Sequence, residues 1–69
     1  MKLAERMKEL RKERSLSQEN IAKELAMSTR TYGRYEAGER EPTASVLIRM
    51  ADFYAVTIDY LVGRSDKRR

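Results

Sequence analysis

Four serine and threonine residues constrain the fold of this chain more than any other feature. Each stands directly before a segment whose apolar residues have helical spacing. They are Ser17, Ser28, Thr43 and Thr57. A serine or threonine at such a point can accept a hydrogen bond from the free backbone N–H groups that open a helix. The apolar residues that follow recur three and four positions apart, as on one face of a helix. With an amphipathic run from Lys2 to Arg14, the sequence predicts five short helices and an all-α fold.

The predicted helices follow one another through short connections. The second begins at Gln18, and the third covers roughly residues 29 to 37 before Gly38, which suits a left-handed stop. The fourth runs to about Tyr54, and the fifth ends at Gly63. The residues that we expect on the buried stripes are Leu3, Met7, Leu10, Ile21, Ala22, Leu25, Val46, Leu47, Met50, Ala51, Tyr54, Ile58, Leu61 and Val62.

The composition limits the chemistry of the chain. Its 69 residues suffice for one domain with a modest core. There is no cysteine and no histidine, so neither thiolate nor imidazole is available for disulfides, metal binding or nucleophilic catalysis. The carboxylates are scattered, and no acid–base pair can be assembled from the sequence. We therefore predict a protein that is not an enzyme and needs no metal or cofactor.

The charge pattern is compatible with an anionic partner but does not by itself indicate one. The net charge is +4, from 15 Lys and Arg against 11 Asp and Glu. A mild basic excess is compatible with nucleic acid, although many other proteins have it. The basic first helix could suggest a membrane surface, but Glu5, Glu9 and Glu13 interrupt its positive face. No apolar run is long enough for a signal peptide or a membrane span, so we expect a soluble, cytoplasmic and nucleoid-associated protein.

The third predicted helix has two unlike faces. Winding it at about 100° per residue places Tyr32 and Tyr35 on one side, where aromatic rings can be buried. The opposite side is small, basic and rich in hydrogen-bond donors. It carries Thr29, Arg30, Gly33, Arg34 and Ala37. An ordinary solvated helix face would explain this pattern, but so would close approach to an anionic partner.

The order of these residues resembles the Cro and phage-repressor (XRE-type) family of helix-turn-helix DNA-binding proteins. The similarity rests on Leu16-Ser17-Gln18, Ile21-Ala22, Leu25, Tyr32, Tyr35, Glu36, Gly38, Arg40-Glu41-Pro42-Thr43, Ala51-Asp52-Phe53-Tyr54 and Asp59-Tyr60-Leu61-Val62-Gly63-Arg64. It implies a compact five-helix lambda-repressor-like domain over residues 1–64, with the helix-turn-helix at about 18–37 and a short basic tail at 65–69. The third helix would be the recognition helix, lying in the major groove.

The resemblance implies a role in DNA binding for two sets of residues. The base-reading positions are Thr29, Arg30, Gly33 and Arg34. The backbone-contacting positions are Gln18, Ser28, Thr31, Arg40 and the backbone N–H groups around Ala37 and Gly38; from the position of Gln18 the family sometimes touches a base as well. Either arginine could present its fork to guanine O6 and N7. Either could instead bind phosphate and carry no sequence information.

Two further expectations concern the frame around the recognition helix. Arg11 and Glu36 match positions that pair in the family, and such a pair would fix how the recognition helix docks. Two residues depart from the family pattern. Ala26 stands where a glycine is frequent in the turn, and a left-handed alanine costs roughly 1 kcal/mol. Gly33 lies inside the recognition helix, which it disfavours by about 1 kcal/mol relative to alanine.

The last two helices contain more apolar residues than a small core needs. The family dimerises through this end, so we expect a homodimer whose interface includes Phe53, Val56, Ile58 and Tyr60, with Ile48 also apolar. A two-fold dimer would place two recognition helices about 34 Å apart on a palindromic site. The alternative is that these residues complete the core. We expect the tail from Ser65 to Arg69 to be disordered.

The sequence therefore predicts a sequence-specific transcriptional regulator that acts on double-stranded DNA as a homodimeric repressor. A phage immunity repressor, a restriction-modification controller and an antitoxin all fit this interpretation. The alternative is a protein-interaction module, itself an antitoxin or a repressor antagonist, that binds a protein partner (a toxin or an antagonist) through helices 4 and 5. Arg30, Arg34 and Gln18 matter for the first interpretation, whereas Phe53, Val56 and Tyr60 matter for the second.

Overall fold

The chain folds into five helices and no strand, which confirms the predicted all-α fold. The computed structural model describes residues 1–69. The helices are α1 (Leu3–Glu13), α2 (Gln18–Glu24), α3 (Thr29–Glu36), α4 (Ala44–Tyr54) and α5 (Ile58–Val62). The longest have 11 residues, and none combines the length and apolar content that crossing a bilayer requires.

Side-chain caps begin four of the five helices at the predicted residues. Ser28 accepts from the backbone N–H of Thr31, and the Ser17 side chain accepts from Asn20. The Asn20 side chain in turn accepts from the backbone N–H of Ser17, which completes a reciprocal capping box. Thr43 and Thr57 cap α4 and α5 in the same way. Each cap is worth about 1 kcal/mol, which matters for helices as short as these.

One apolar core lies between the helices, and every helix contributes to it. Its members are Leu3, Met7, Leu10, Ile21, Ala22, Leu25, Tyr32, Tyr35, Val46, Met50, Ala51, Tyr54, Tyr60 and Leu61. Full burial of one large apolar side chain contributes about 1.5 to 3 kcal/mol. Tyr32 and Tyr35 belong to the core, as their place on the helix predicted. Ile58 does not: it is 39% exposed.

The packing order leaves one face of α3 free. α2 packs against α3, with only Leu25–Ser28 between the two helices. α1 packs against both α3 and α5, and α4 packs against α5. α3 therefore turns its tyrosine face inward, while Thr29, Arg30 and Arg34 on the other side are exposed.

Three residues other than glycine have left-handed backbone conformations, and one of them is the alanine noted in the turn. Ser15, Ala26 and Ala55 have φ of +55°, +56° and +56°. Ala26 lies between α2 and α3, and Ala55 directly follows α4. A side chain with a Cβ is disfavoured there because the Cβ crowds the following carbonyl oxygen. The turn thus keeps the left-handed geometry for which glycine is better suited.

We expect Ala26→Gly to raise the free energy of unfolding by about 1 kcal/mol, because glycine relieves the steric cost of the positive φ. Ala26 is exposed, so the change removes no core contact. Urea denaturation followed by circular dichroism measures the difference. Ala37→Gly is the matched control, since Ala37 is also exposed but has φ −80°. The control should lose about 0.5 to 1 kcal/mol. An Ala26→Gly protein less stable than wild type would contradict the interpretation.

The C-terminal residues are ordered against α1, where the sequence indicated disorder. Arg68 donates to both carboxylate oxygens of Glu13, at 2.8 and 2.6 Å, and its backbone oxygen accepts from Thr57 N at 2.8 Å. Arg6 donates to the backbone oxygens of Tyr60 and Ser65, both at 2.6 Å. The prediction failed because these contacts join residues 54 to 59 positions apart, and no local pattern reports them.

Candidate nucleic-acid interface

The recognition-helix face predicted from the sequence is exposed on the surface of α3. Thr29, Arg30 and Arg34 are exposed, and Gly33 lies among them partly buried. The guanidinium groups of Arg6, Arg11 and Arg68 are held by carboxylates, whereas Arg30 and Arg34 form no ion pair. Their ten N–H donors are therefore available to an incoming acceptor such as a phosphate or a guanine edge.

The start of α3 combines a cap with a free hydroxyl proton. Ser28 Oγ accepts from the Thr31 backbone N–H at 3.1 Å and donates to Thr31 Oγ1 at 2.9 Å. The Thr31 hydroxyl thus accepts from Ser28 and keeps its own proton for another acceptor. The first N–H groups of a helix and its positive dipole end favour an anion at the same place.

A paired carboxylate at the other end of α3 ties this helix to α1. Arg11 Nε and Nη2 donate to the two oxygens of Glu36 at 2.6 and 3.0 Å, so the pair is bidentate. Arg11 Nη1 also donates to the Leu16 backbone oxygen at 2.9 Å. Only 2% of the Glu36 side chain and 13% of the Arg11 side chain are exposed. Arg11 and Glu36, which we expected to pair, therefore join α1 to the end of α3 through a largely buried ion pair.

The protonation of this pair follows from its surroundings. Burial alone would raise the pKa of Glu36, but the hydrogen bond and the positive charge of Arg11 oppose it, and the pKa lies below its ordinary value. The hydrogen bond to Glu36 raises the pKa of Arg11. The hydroxyls of Tyr32 and Tyr54 are buried near the pair without a hydrogen-bond partner. Burial raises the pKa of Tyr54 to about 12 and raises that of Tyr32 further. At neutral pH the cluster therefore holds one anion and one cation.

Gln18 also belongs to this cluster, which the sequence did not indicate. Its Nε2 donates to Glu36 Oε1 at 3.3 Å. The side chain, expected at the DNA backbone, thus crosses from the first residue of α2 to the last residue of α3. No sequence signal could have found this contact, since glutamine at a helix start is equally compatible with a solvated side chain.

The structure changes one other part of the predicted site and leaves another as expected. The backbone N–H groups of Ala37 and Gly38 donate to the Gly33 and Tyr35 carbonyl oxygens, at 2.9 and 3.1 Å. These bonds end the helix. The two N–H groups are therefore not free to bind phosphate, although the sequence analysis expected them to do so. Arg40 follows on the exposed surface, forms no ion pair, and stays available for such a contact.

The predicted dimer surface is only partly exposed. Ile48 is 50% exposed on α4 and Ile58 is 39% exposed on α5, while Phe53 and Val56 are partly buried against the core. Tyr60 is 5% exposed, and its hydroxyl donates to Glu9 at 3.0 Å. Tyr60 therefore offers little surface to a partner chain, because the ring is used within the domain. Ile48 and Ile58 are the large apolar side chains left in water on these two helices.

Known proteins resemble the chain along most of its length. A helix-turn-helix family model matches residues 7–61. The cryptic phage CTXphi transcriptional repressor RstR of Vibrio cholerae serotype O1 is 39% identical over 93% of this chain and 57% of its own length. The uncharacterized HTH-type transcriptional regulator YobD of Bacillus subtilis is 34% identical over 90% of this chain and 55% of its own. The HTH-type transcriptional activator BcrR of Enterococcus faecalis is 32% identical over 91% of this chain and 31% of its own length.

The match is to a part of these relatives. The chain spans about half the length of the first curated relatives it matches. No solved structure matches it.

Proposed function

Because this chain belongs to the Cro and phage-repressor (XRE-type) family of helix-turn-helix proteins, we propose that it is a sequence-specific DNA-binding transcriptional repressor. It binds a palindromic operator as a homodimer, with α3 in the major groove, and blocks access of the transcription machinery. The proposal includes no catalytic step.

One observation carries this proposal: the two arginines of α3 form no ion pair, whereas Arg6, Arg11 and Arg68 each bind a carboxylate. Arg30 and Arg34 are exposed and form no ion pair, on a helix whose opposite face is buried. The Arg11–Glu36 pair holds that helix in place. Donors that are presented by a fixed helix suit phosphate oxygens and the acceptor atoms of base edges, such as guanine O6 and N7. Ser28, Thr31 and Arg40 supply the backbone contacts, together with the first N–H groups of α3.

In vitro selection from a random duplex pool tests the proposal. Fluorescence anisotropy then compares the selected duplex with a scrambled one between about 50 and 200 mM salt. We expect a motif with two-fold symmetry, half-sites one helical turn apart, and affinity that falls steeply with salt. A pool that yields no motif, with all duplexes bound weakly and alike, would overturn the proposal.

We expect Ile58→Lys to weaken self-association about tenfold or more while the domain stays folded, because a charge would be buried at the proposed interface. Ile58 is 39% exposed, so unfolding should change by less than about 0.5 kcal/mol. Sedimentation velocity over a concentration series measures the effect. Met1→Lys is the matched control, since Met1 is 77% exposed and lies outside α4 and α5. Equal association of Ile58→Lys and wild type would contradict this dimer surface.

The exposed Ile48 and Ile58 also favour a second candidate function. A protein-interaction module would use the same apolar surface for a toxin or a repressor antagonist, and the α3 arginines would then be dispensable. The two functions separate in one comparison. In the first, Arg30 and Arg34 variants weaken operator binding; in the second, Ile48 and Ile58 variants weaken capture of a protein partner.

A further inference from the structure

The side chain of Arg49 on α4 reaches the end of α2, where the helix-turn-helix makes its turn. Its Nη1 donates to the Leu25 backbone oxygen at 2.8 Å. Leu25 directly follows α2 as its last cap and is 1% exposed. Its oxygen is one of the carbonyls that a helix leaves without an internal partner at its C-terminus. Such a buried carbonyl is costly unless a donor binds it, and Arg49 supplies that donor.

The turn itself satisfies the neighbouring carbonyl groups but not this one. The backbone N–H of Met27 donates to the Ala22 oxygen at 2.9 Å, and that of Ala26 donates to the Lys23 oxygen at 3.1 Å. These two bonds form a Schellman motif, which requires the left-handed φ of +56° at Ala26. Neither bond reaches the Leu25 oxygen, so this oxygen depends on a donor from outside the turn.

The charge of Arg49 also suits this place. The C-terminal end of a helix has a partial negative charge, and a guanidinium nearby is favourable. Arg49 forms no ion pair, so no carboxylate competes with the turn for its donors. The contact between α4 and the end of α2 therefore combines a hydrogen bond with an attraction of opposite charges.

The bond from Arg49 connects two parts of the domain with different proposed roles. The DNA-binding part, residues 17–38, carries most of the proposed DNA contacts, whereas α4 and α5 carry the exposed apolar residues of the proposed dimer surface. No other hydrogen bond joins α4 or α5 to the DNA-binding part. The shared apolar core also holds the two parts together, but apolar packing is not directional, whereas a hydrogen bond is.

Arg49 directly follows a residue of the proposed dimer surface. Ile48 is 50% exposed, and Arg49 is the next residue of α4. Successive residues of a helix are about 100° apart around its axis. One turn of α4 thus presents Ile48 to a partner chain and Arg49 to the turn between α2 and α3.

We propose that Arg49 is a positioning residue that fixes the recognition helix relative to the dimer surface and thereby sets the half-site spacing that the dimer accepts. α3 begins after Ser28, three residues beyond Leu25, so a turn held at the Leu25 oxygen fixes the start of α3 relative to α4. The inference rests on the proposed function, because it needs a dimer on two half-sites. Within one half-site, α2 and α3 are held by their own packing and by the bond from Gln18 to Glu36.

Operators with altered half-site spacing test the inference. One inserted base pair turns the second half-site by about 34 to 36° and moves it about 3.4 Å. Wild type should bind such an operator about 100-fold more weakly than the selected one, because a rigid dimer cannot engage both half-sites. Arg49→Met keeps an unbranched stem without donor or charge. It should bind the selected operator about tenfold more weakly, and the insertion should then weaken its binding only about tenfold further.

Two controls distinguish positioning from a general structural role and from a phosphate contact. Lys23→Met removes an equal charge from the last turn of α2, where Lys23 is exposed and forms no ion pair, and should keep the wild-type spacing preference. A duplex with a single half-site should bind Arg49→Met and wild type within about threefold, with the same salt slope. A loss of folded protein weakens binding to all duplexes alike and cannot change the spacing preference.

Hydrogen exchange of the free protein gives a second readout that needs no DNA. The Ala26 and Met27 amides close the turn, so they should exchange about tenfold faster in Arg49→Met than in wild type. Lys23→Met should leave both amides unchanged. Arg49→Lys keeps the charge and a donor, so it should lie between wild type and Arg49→Met in exchange and in spacing preference. It provides the same comparison should Arg49→Met fail to fold.

The outcomes distinguish this inference from the proposed function. A weaker spacing preference in Arg49→Met, with half-site binding kept, supports both. An unchanged spacing preference, or turn amides that exchange as in wild type, overturns this inference and leaves the repressor proposal standing. Weaker half-site binding with a salt slope lower by about one identifies Arg49 as a phosphate contact and also overturns the inference. The absence of any selected motif overturns both.

Discussion

Arg11→Ala is expected to lower the free energy of unfolding by about 3 to 5 kcal/mol, a large part of the stability of a domain of this size. The Glu36 side chain is 2% exposed and receives two hydrogen bonds from Arg11, at 2.6 and 3.0 Å. Without them a buried carboxylate keeps only the bond from Gln18. Urea denaturation at pH 7 measures the loss. Lys12→Ala, at the exposed next residue of α1, should change stability by less than about 0.5 kcal/mol.

The dependence of this loss on pH identifies its cause. In wild type the pKa of Glu36 lies below its ordinary value, so its contribution is present at neutral pH and is lost as the pH falls through that lowered pKa. In Arg11→Ala, burial without a neighbouring cation should raise the pKa of Glu36. The folded protein then becomes more stable as the pH falls from 7, because the buried carboxyl group takes up a proton. The gap between variant and wild type should therefore shrink toward acid pH. A gap that is constant from pH 7 to about 4 would contradict a buried-charge cause.

Arg34→Ala is expected to weaken binding to the selected operator about 10- to 100-fold and to relax the motif at one base position. Arg34 is exposed on α3 and forms no ion pair, so its fork is free for a guanine edge. Affinity for scrambled duplex should fall much less, because that binding depends on phosphate contacts. Selection repeated with the variant, together with anisotropy titrations at two salt concentrations, measures both effects.

Two further variants separate base reading from phosphate binding at this position. Arg34→Lys keeps the charge but loses the fork, so it should retain affinity for scrambled duplex and lose discrimination. Arg64→Ala removes an equal charge after α5 and should leave the motif intact. Arg34→Ala could instead weaken binding to all duplexes alike and lower the slope of log affinity against log salt concentration by about one. Arg34 would then bind phosphate, and the base assignment would be contradicted.

Features with local causes could be predicted from the sequence. Ser28 caps α3 because its hydroxyl reaches an N–H three residues away, and such a pattern is readable from a few residues. The burial of Tyr32 and Tyr35 follows from helical periodicity. The left-handed turn at Ala26 was suggested by the glycine that the family has there, although alanine itself gives no sign of it.

Features that depend on competition between distant groups could not be predicted in this way. Tyr60 is apolar enough for an interface, but α1 offers its hydroxyl an acceptor at Glu9, 51 positions away. Gln18 turns inward because Glu36 is an anion with a free lone pair beside it. Arg68 is charged and terminal, which favours disorder, yet Glu13 supplies a bidentate partner. In each case a partner remote in sequence outweighed the local tendency.

The contacts of Arg6 and Arg68 also bear on the order in which the domain folds. They join the two ends of the chain across 54 to 60 residues, whereas α2 and α3 are neighbours in sequence. Contacts between sequence neighbours need little loop closure and form early, and long-range closure follows. The ends should accordingly be the first part to open in native-state hydrogen exchange. The helix pair that presents Arg30 and Arg34 can then stay assembled through excursions in which the ends separate.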